Sequence, residues 1–284
     1  MSLPSLLLAN DFEGAESLLA HDPDCAGDVG IHNLFSQKAL SYPLHYLCRR
    51  QATPASTMRA MIKASPPKAF VYRDSASKST PLHLAIWYKL SVESILLLLE
   101  SSKEALVMQD MDGNLPIHLA SALHPEANRL ITAFLAIRPD TALRRNAKAQ
   151  TPLHSLCTRS DVDVDTLSLV IKAAPNASGW KDRMGRLPIH HACLHQASLP
   201  VLECLLRAFP RGVNSFDHSG LNPYGIVRRR WKWESTDARV RLLRKDMIQS
   251  SRFPVAVRNQ IQFKLEDLSS KTRAPAVLCP MVAQ

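Results

Sequence analysis

The sequence predicts an all-α solenoid, one elongated domain in which pairs of short helices stack in repeats joined by hairpin turns. Three observations carry that expectation. First, a proline motif recurs as Tyr42-Pro43-Leu44-His45, Thr80-Pro81-Leu82-His83, Leu115-Pro116-Ile117-His118, Thr151-Pro152-Leu153-His154 and Leu187-Pro188-Ile189-His190, with a reduced copy at Asn222-Pro223-Tyr224. The steps between these prolines are 38, 35, 36, 36 and 35 residues, and self-similarity at a fixed period of about 20 to 50 residues marks a repeat architecture. Second, another proline series runs out of phase with the first, at Pro23, Pro66, Pro139, Pro175 and Pro210, each after an apolar segment. Proline cannot continue a helix, so these positions mark helix stops. Third, each interval contains apolar residues at i, i+3 and i+4, the spacing that places them on one helix face.

The elements follow in chain order. Ser17-Leu18-Leu19 with Pro23 reads as the second helix of an incomplete N-terminal repeat. In each later repeat the first helix opens at the proline motif, with Leu44, Leu82, Ile117, Leu153 and Ile189 inward and Leu47, Ala85, Ala120, Leu156 and Ala192 four residues after the proline. The second helix carries the apolar triples Met58, Met61, Ile62; Ile95, Leu98, Leu99; Ile131, Phe134, Leu135; Leu167, Val170, Ile171; and Leu202, Leu205, Leu206. Pro54, Pro125 and Pro200 open these second helices, where the fixed φ suits the first turn. Residues 223–233 and 236–249 read as the last pair, so the repeat domain spans residues 1–249. Val257, Ile261, Leu265 and Leu268 share one stripe and predict a capping helix within 250–270. Residues 271–284, without periodicity, are expected to be a disordered tail.

Composition narrows the class further. With 46% hydrophobic residues among 284, the chain is not intrinsically disordered. The longest aliphatic block, Ile95 to Leu99, is far shorter than the roughly 18 residues a membrane span needs. The first ten residues lack a basic segment and a long apolar stretch, so no secretory signal is expected and the compartment is cytoplasmic or nuclear. Six cysteines are too sparse for a disulfide framework.

The Thr-Pro-Leu-His helix start, the Leu-Leu second helix and an Asp-x-x-Gly turn before the next copy together resemble the ankyrin repeat. That turn is visible as Asp110-Met111-Asp112-Gly113, Asp182-Arg183-Met184-Gly185 and Asp217-His218-Ser219-Gly220, and the resemblance covers about residues 32–249. Three departures accompany it. The period averages 36 residues rather than 33. Leu40, Lys78 and Ala149 replace the turn glycine, which serves there by tolerating positive φ. Leu115, Leu187 and Tyr42 replace the opening threonine.

Eleven histidines and six cysteines invite a catalytic or zinc reading. His45, His83, His118, His154 and His190 occupy one motif position, however, and a single active site does not need five equivalent histidines. Their expected role is a hydrogen bond to the hairpin backbone, with Thr80 and Thr151 capping the helix start. Cys48, Cys157 and Cys193 share the column three residues later and read as small buried residues. The densest cluster, His190, His191, Cys193 and His195 with Cys204, is largely absorbed by the repeat. No metal, cofactor or catalytic residue is expected, and the chain is not expected to be an enzyme.

The resemblance implies a monomeric scaffold that binds an unidentified protein partner through hairpin tips and adjoining first helices on a concave surface. The expected contact residues lie around the tip turns: Met111, Asp112 and Asn114; Ala147, Lys148 and Gln150; Arg183, Met184 and Arg186; His218 and Ser219. The net charge of +10 adds an alternative. Residues 221–284 hold 13 basic and 5 acidic side chains, densest at Arg228-Arg229-Arg230-Trp231-Lys232-Trp233. This segment is expected to be either a solvated outer face of the last repeat or, over 228–245, a surface for an acidic partner, nucleic acid or anionic membrane.

Overall fold

The computed structural model describes residues 3–9, 11–27, 30–34, 37–51, 53–231 and 237–250. Within them lie seven helix pairs: Leu3–Leu8 with Phe12–His21, Pro43–Leu47 with Ala55–Ala64, Pro81–Trp87 with Val92–Ser101, Pro116–Leu123 with Ala127–Ile137, Pro152–Leu156 with Val164–Ala173, Pro188–Leu194 with Leu199–Ala208, and Pro223–Trp231 with Ala238–Ser250. The N-terminal repeat therefore has a first helix as well as the expected second one. Leu3, Leu6 and Leu7 of that helix are buried. The expected capping helix at 250–270 and the tail at 271–284 lie outside the described residues, apart from Ser250.

Each first helix starts at its motif proline because proline supplies a helical φ and its missing N–H costs nothing in the first turn. The residue before it is extended, as at Thr80 (φ −81°, ψ 165°) and Leu187 (φ −84°, ψ 165°). The inward residues stack into one continuous core: Leu44, Leu82, Ile117, Leu153 and Ile189 are all buried, and so are the small or leucine side chains at proline plus four. Most of the second-helix triples are buried too, with Ile62 and Ile171 at the margin. No pair could cover both its faces alone, but neighbouring pairs cover each other.

The second proline series does more than end helices. Pro23–Gly27, Pro139–Leu143, Pro175–Gly179 and Pro210–Asn214 are one-turn 3-10 helices, Lys103–Val107 is another, and Pro67–Val71 is a short α-helix after Pro66. The residue before each proline is driven out of the helical region, as at Ala174 (φ −142°, ψ 70°), and the proline then opens a new turn. These turns bury Ala26, Phe70, Leu106, Ala142, Ala177 and Val213 under the stack. They account for residues beyond a two-helix repeat, a third element that the two-helix reading did not assign.

The turn positions separate two kinds of substitution. Gly113, Gly185 and Gly220 all have φ +72°, and Lys78 and Ala149 keep this left-handed geometry without glycine, at φ 53° and 59°. Leu40 does not belong to the series. It pairs with Ile31 in a two-stranded antiparallel hairpin, Gly30–Leu34 against Gln37–Ser41. Left-handed geometry costs a residue with a Cβ about 1 kcal/mol. Ala149→Gly should accordingly raise the thermal unfolding midpoint by roughly 2–4 °C, read by circular dichroism; no gain would mean the alanine is unstrained.

Candidate functional surface

The hairpin tips are built on one repeated device. Asp74, Asp110, Asn146, Asp182 and Asp217 head the turns, and in each case Oδ1 accepts two backbone N–H groups of its own turn. Asp182 Oδ1 takes those of Met184 (2.9 Å) and Arg186 (2.8 Å), and Asn146 Oδ1 takes those of Lys148 and Gln150 (both 2.9 Å). Except in Asp110, whose Oδ2 accepts the amide of Asn114 in its own turn, the remaining side-chain atom reaches sideways to the preceding repeat. Asn146 Nδ2 donates to Asn114 Oδ1 at 2.8 Å, Gln150 Nε2 donates to Asp182 Oδ2 at 3.3 Å, and Arg186 Nε donates to Asp217 Oδ2 at 3.3 Å.

A backbone ladder runs beside these rungs. The N–H groups of Met111, Ala147, Arg183 and His218 donate to the carbonyls of Ser77, Asp112, Lys148 and Met184 at 2.9–3.0 Å. The tips approach so closely that a Cβ on Gly185 would meet the His218 ring at 2.5 Å. Burial alone would raise the Asp182 carboxyl. The Arg186 N–H, the His191 ring and the Gln150 amide outweigh it and hold that carboxyl below its usual range.

The motif histidines bind each tip to the helix beneath the preceding repeat. In His83, His118, His154 and His190, Nδ1 accepts the backbone N–H three residues earlier at 3.1–3.3 Å. Nε2–H must therefore be the donor, to the carbonyls of Asn114, Gln150, Arg186 and Ser215 at 3.0–3.2 Å. Only the neutral ring performs both tasks. Burial pushes these pKa values down, to about 4 for His45, His83, His118 and His190 and to about 3 for His154. His124, outside the motif, works on the opposite loops: its Nε2–H donates to the Leu90 carbonyl at 3.0 Å. His191, beside the motif position, donates to Asp182 Oδ2 at 2.9 Å. Cys48, Cys157 and Cys193 are fully buried, and burial pushes their thiols up.

The expected contact residues divide into two groups. Met111 and Met184 are 66% and 50% exposed, and Asp112, Ala147, Lys148, Arg183, His218 and Ser219 are also exposed on the tips. Asn114, Gln150 and Arg186 are half-buried and engaged in the lateral rungs just described. In the basic segment, Arg228 and Arg229 are exposed on Pro223–Trp231, with the Arg228 guanidinium 6.0 Å from the Tyr224 ring centre. Arg230 lies on the same helix, and Lys232 lies outside the described residues.

Two features escaped the sequence reading. Trp87, at the end of Pro81–Trp87, is 55% exposed. Together with Leu84, Tyr88, Met111, Leu119 and the carboxylates of Asp110 and Asp112 it lines a recess of about 300 Å³ between the tips and the first helices. Its signal was a tryptophan at a position beyond the inward column of its helix. Arg145 is the other. Its guanidinium lies 5.5 Å from the Trp180 ring centre and donates to the Ala149 and Lys181 carbonyls, adding a cation–π contact to the ladder.

Among the described residues no three histidine, cysteine or acidic side chains gather where a metal could be held, and no helix is long and apolar enough to cross a membrane. Proline-opened helix pairs, histidine staples and zipped hairpin tips define an ankyrin repeat fold. Comparison with solved structures agrees: the ankyrin repeat domain of Bcl-3, described as a unique member of the IkappaB protein family, superposes with a TM-score of 0.59 at 18% identity, covering 86% of this chain and 98% of that one. No family model and no curated protein sequence matches the chain.

Proposed function

We propose that this chain is a non-catalytic scaffold, acting as a monomer in the cytoplasm or nucleus, that binds a protein partner across its hairpin tips and adjoining first helices. One observation carries the reading: Arg183 and Met184 are exposed on a turn whose backbone is bonded on both sides, to Lys148 and to His218. A surface already ordered before docking loses little conformational entropy on binding, and arginine and methionine are enriched in interface cores. Arg186 supports the patch from below through Asp217 rather than offering a free head group.

Arg183→Ala with Met184→Ala should therefore abolish capture of at least one protein retained from lysate by the wild type. Arg207→Ala, on an 84% exposed side chain of a second helix, should leave capture unchanged. Identical partner sets for all three chains would remove this patch. A second reading, an acidic segment or polyanion held by residues 228–245, draws on Arg228 and Arg229, which are exposed with no ion pair among the described residues. Heparin binding that falls steeply with salt and is lost in the Arg228→Ala, Arg229→Ala variant supports it; salt-insensitive or absent binding removes it.

A further inference from the structure

The geometry points to a specific subsite on this surface: the recess beside the Asp110–Gly113 tip receives an arginine side chain, flanked by an apolar residue, from a partner protein. The inference rests on the protein-binding reading above and names the chemistry of one contact within it.

The lining mixes two chemistries. One is aromatic and aliphatic, supplied by Trp87, Tyr88, Leu84, Leu119 and Met111. Large apolar side chains as exposed as Trp87 and Met111 mark an interaction site when they sit together at a concavity. The other is acidic, supplied by Asp110 and Asp112. Asp110 is held in place by the N–H groups of Asp112 and Asn114 and by the Asn114 amide, at 2.8–3.1 Å. Asp112 is exposed, and its carboxylate has no hydrogen bond or ion pair among the described residues.

Arg49, the cation among the lining residues, is already taken by buried Asp74 at 2.6 Å. His83, also in the lining, is neutral because both its ring nitrogens are committed. The recess therefore presents Asp112 without a partner and Asp110 hydrogen-bonded but without an ion pair among the described residues, in a chain whose net charge is +10.

Charge complementarity selects a cationic occupant, and the aromatic lining selects among cations. A guanidinium is planar, weakly hydrated and able to stack on a ring while pairing with a carboxylate, whereas an ammonium is compact and strongly hydrated. Space for about 300 Å³ admits one long side chain with part of its neighbour, at the small end of ordinary ligand pockets. An adjacent apolar residue on the partner would cover Met111.

The test pans a displayed library of random dodecapeptides on the purified full chain and titrates the selected peptides against variants. Wild type should enrich peptides with arginine beside an apolar residue. Trp87→Ala and Asp112→Lys should each weaken their binding at least tenfold while leaving the circular dichroism spectrum unchanged, and Arg183→Ala with Met184→Ala should not. Peptides that lack a cation, or that ignore both Trp87→Ala and Asp112→Lys, would overturn the subsite and leave the scaffold reading standing. Absence of any enriched peptide would count against both.

Discussion

Lowering the pH from 7 is expected to unfold this chain cooperatively between about pH 6 and pH 4.5. The cause is the column of motif histidines. His45, His83, His118 and His190 have folded pKa values lowered to about 4, and His154 to about 3, against 6.5 for an unperturbed imidazole. Below pH 6.5 the unfolded chain thus binds protons that the folded chain refuses, so stability falls with falling pH down to the folded pKa, where the loss levels off. Each such histidine withdraws about 1.4 kcal/mol per pH unit across that window. Five together withdraw roughly 7 kcal/mol per unit, against a total stability of about 5–15 kcal/mol for an ordinary domain.

The lowered carboxylates act elsewhere on the scale. Asp74, Asp182 and Asp217 are held below 3.8, so their contribution is present above that value and lost only below it. Titration calorimetry of the transition near pH 5 should record uptake of about five protons per chain from the motif histidines, with a further contribution from His124 and His191, whose pKa values burial also lowers. Unfolding confined to pH values under 4 would instead assign acid sensitivity to the carboxylates. His118→Asn keeps an acceptor near Nδ1 but loses the bond to Gln150, and should lower the proton uptake by about one.

The histidines also show what was legible in the sequence. Five copies of one imidazole at one motif position identified a structural role, because position in the repeat is itself evidence of equivalent surroundings. The same held for the helix starts at the motif prolines; Lys78 and Ala149 stand among the departures from the turn pattern, yet they keep the left-handed turn without a glycine. What escaped was lateral. Asn114, Gln150 and Arg186 are expected as contact residues of the tips, since nothing in a single turn says that its fifth residue faces the Asp or Asn heading the next. Those bonds join residues 31 or 32 positions apart. Trp87 escaped for the same reason. Its exposure depends on how far the neighbouring tip extends, and no local periodicity encodes that distance.

Asp182→Ala is expected to lower the thermal unfolding midpoint by roughly 6–12 °C, the largest effect of any single tip substitution. The side chain is 2% exposed and satisfies four donors: the N–H groups of Met184 and Arg186, the His191 ring and the Gln150 amide. Removing it strands several of these at once, and each buried unsatisfied group costs about 1–3 kcal/mol, so a total near 3 kcal/mol is expected after water reaches the outer ones. Asp182→Asn separates the two functions of the residue. Its Oδ1 can still accept both backbone N–H groups, as Asn146 does in the preceding tip. Its Nδ2 would face the His191 and Gln150 donors and lose those rungs, for an intermediate drop. The ordering wild type, Asp182→Asn, Asp182→Ala should recur in partner capture, because the Arg183 and Met184 patch sits on the turn that Asp182 holds. Equal midpoints for Asp182→Ala and Arg183→Ala would show that the carboxylate is not what organises the tip.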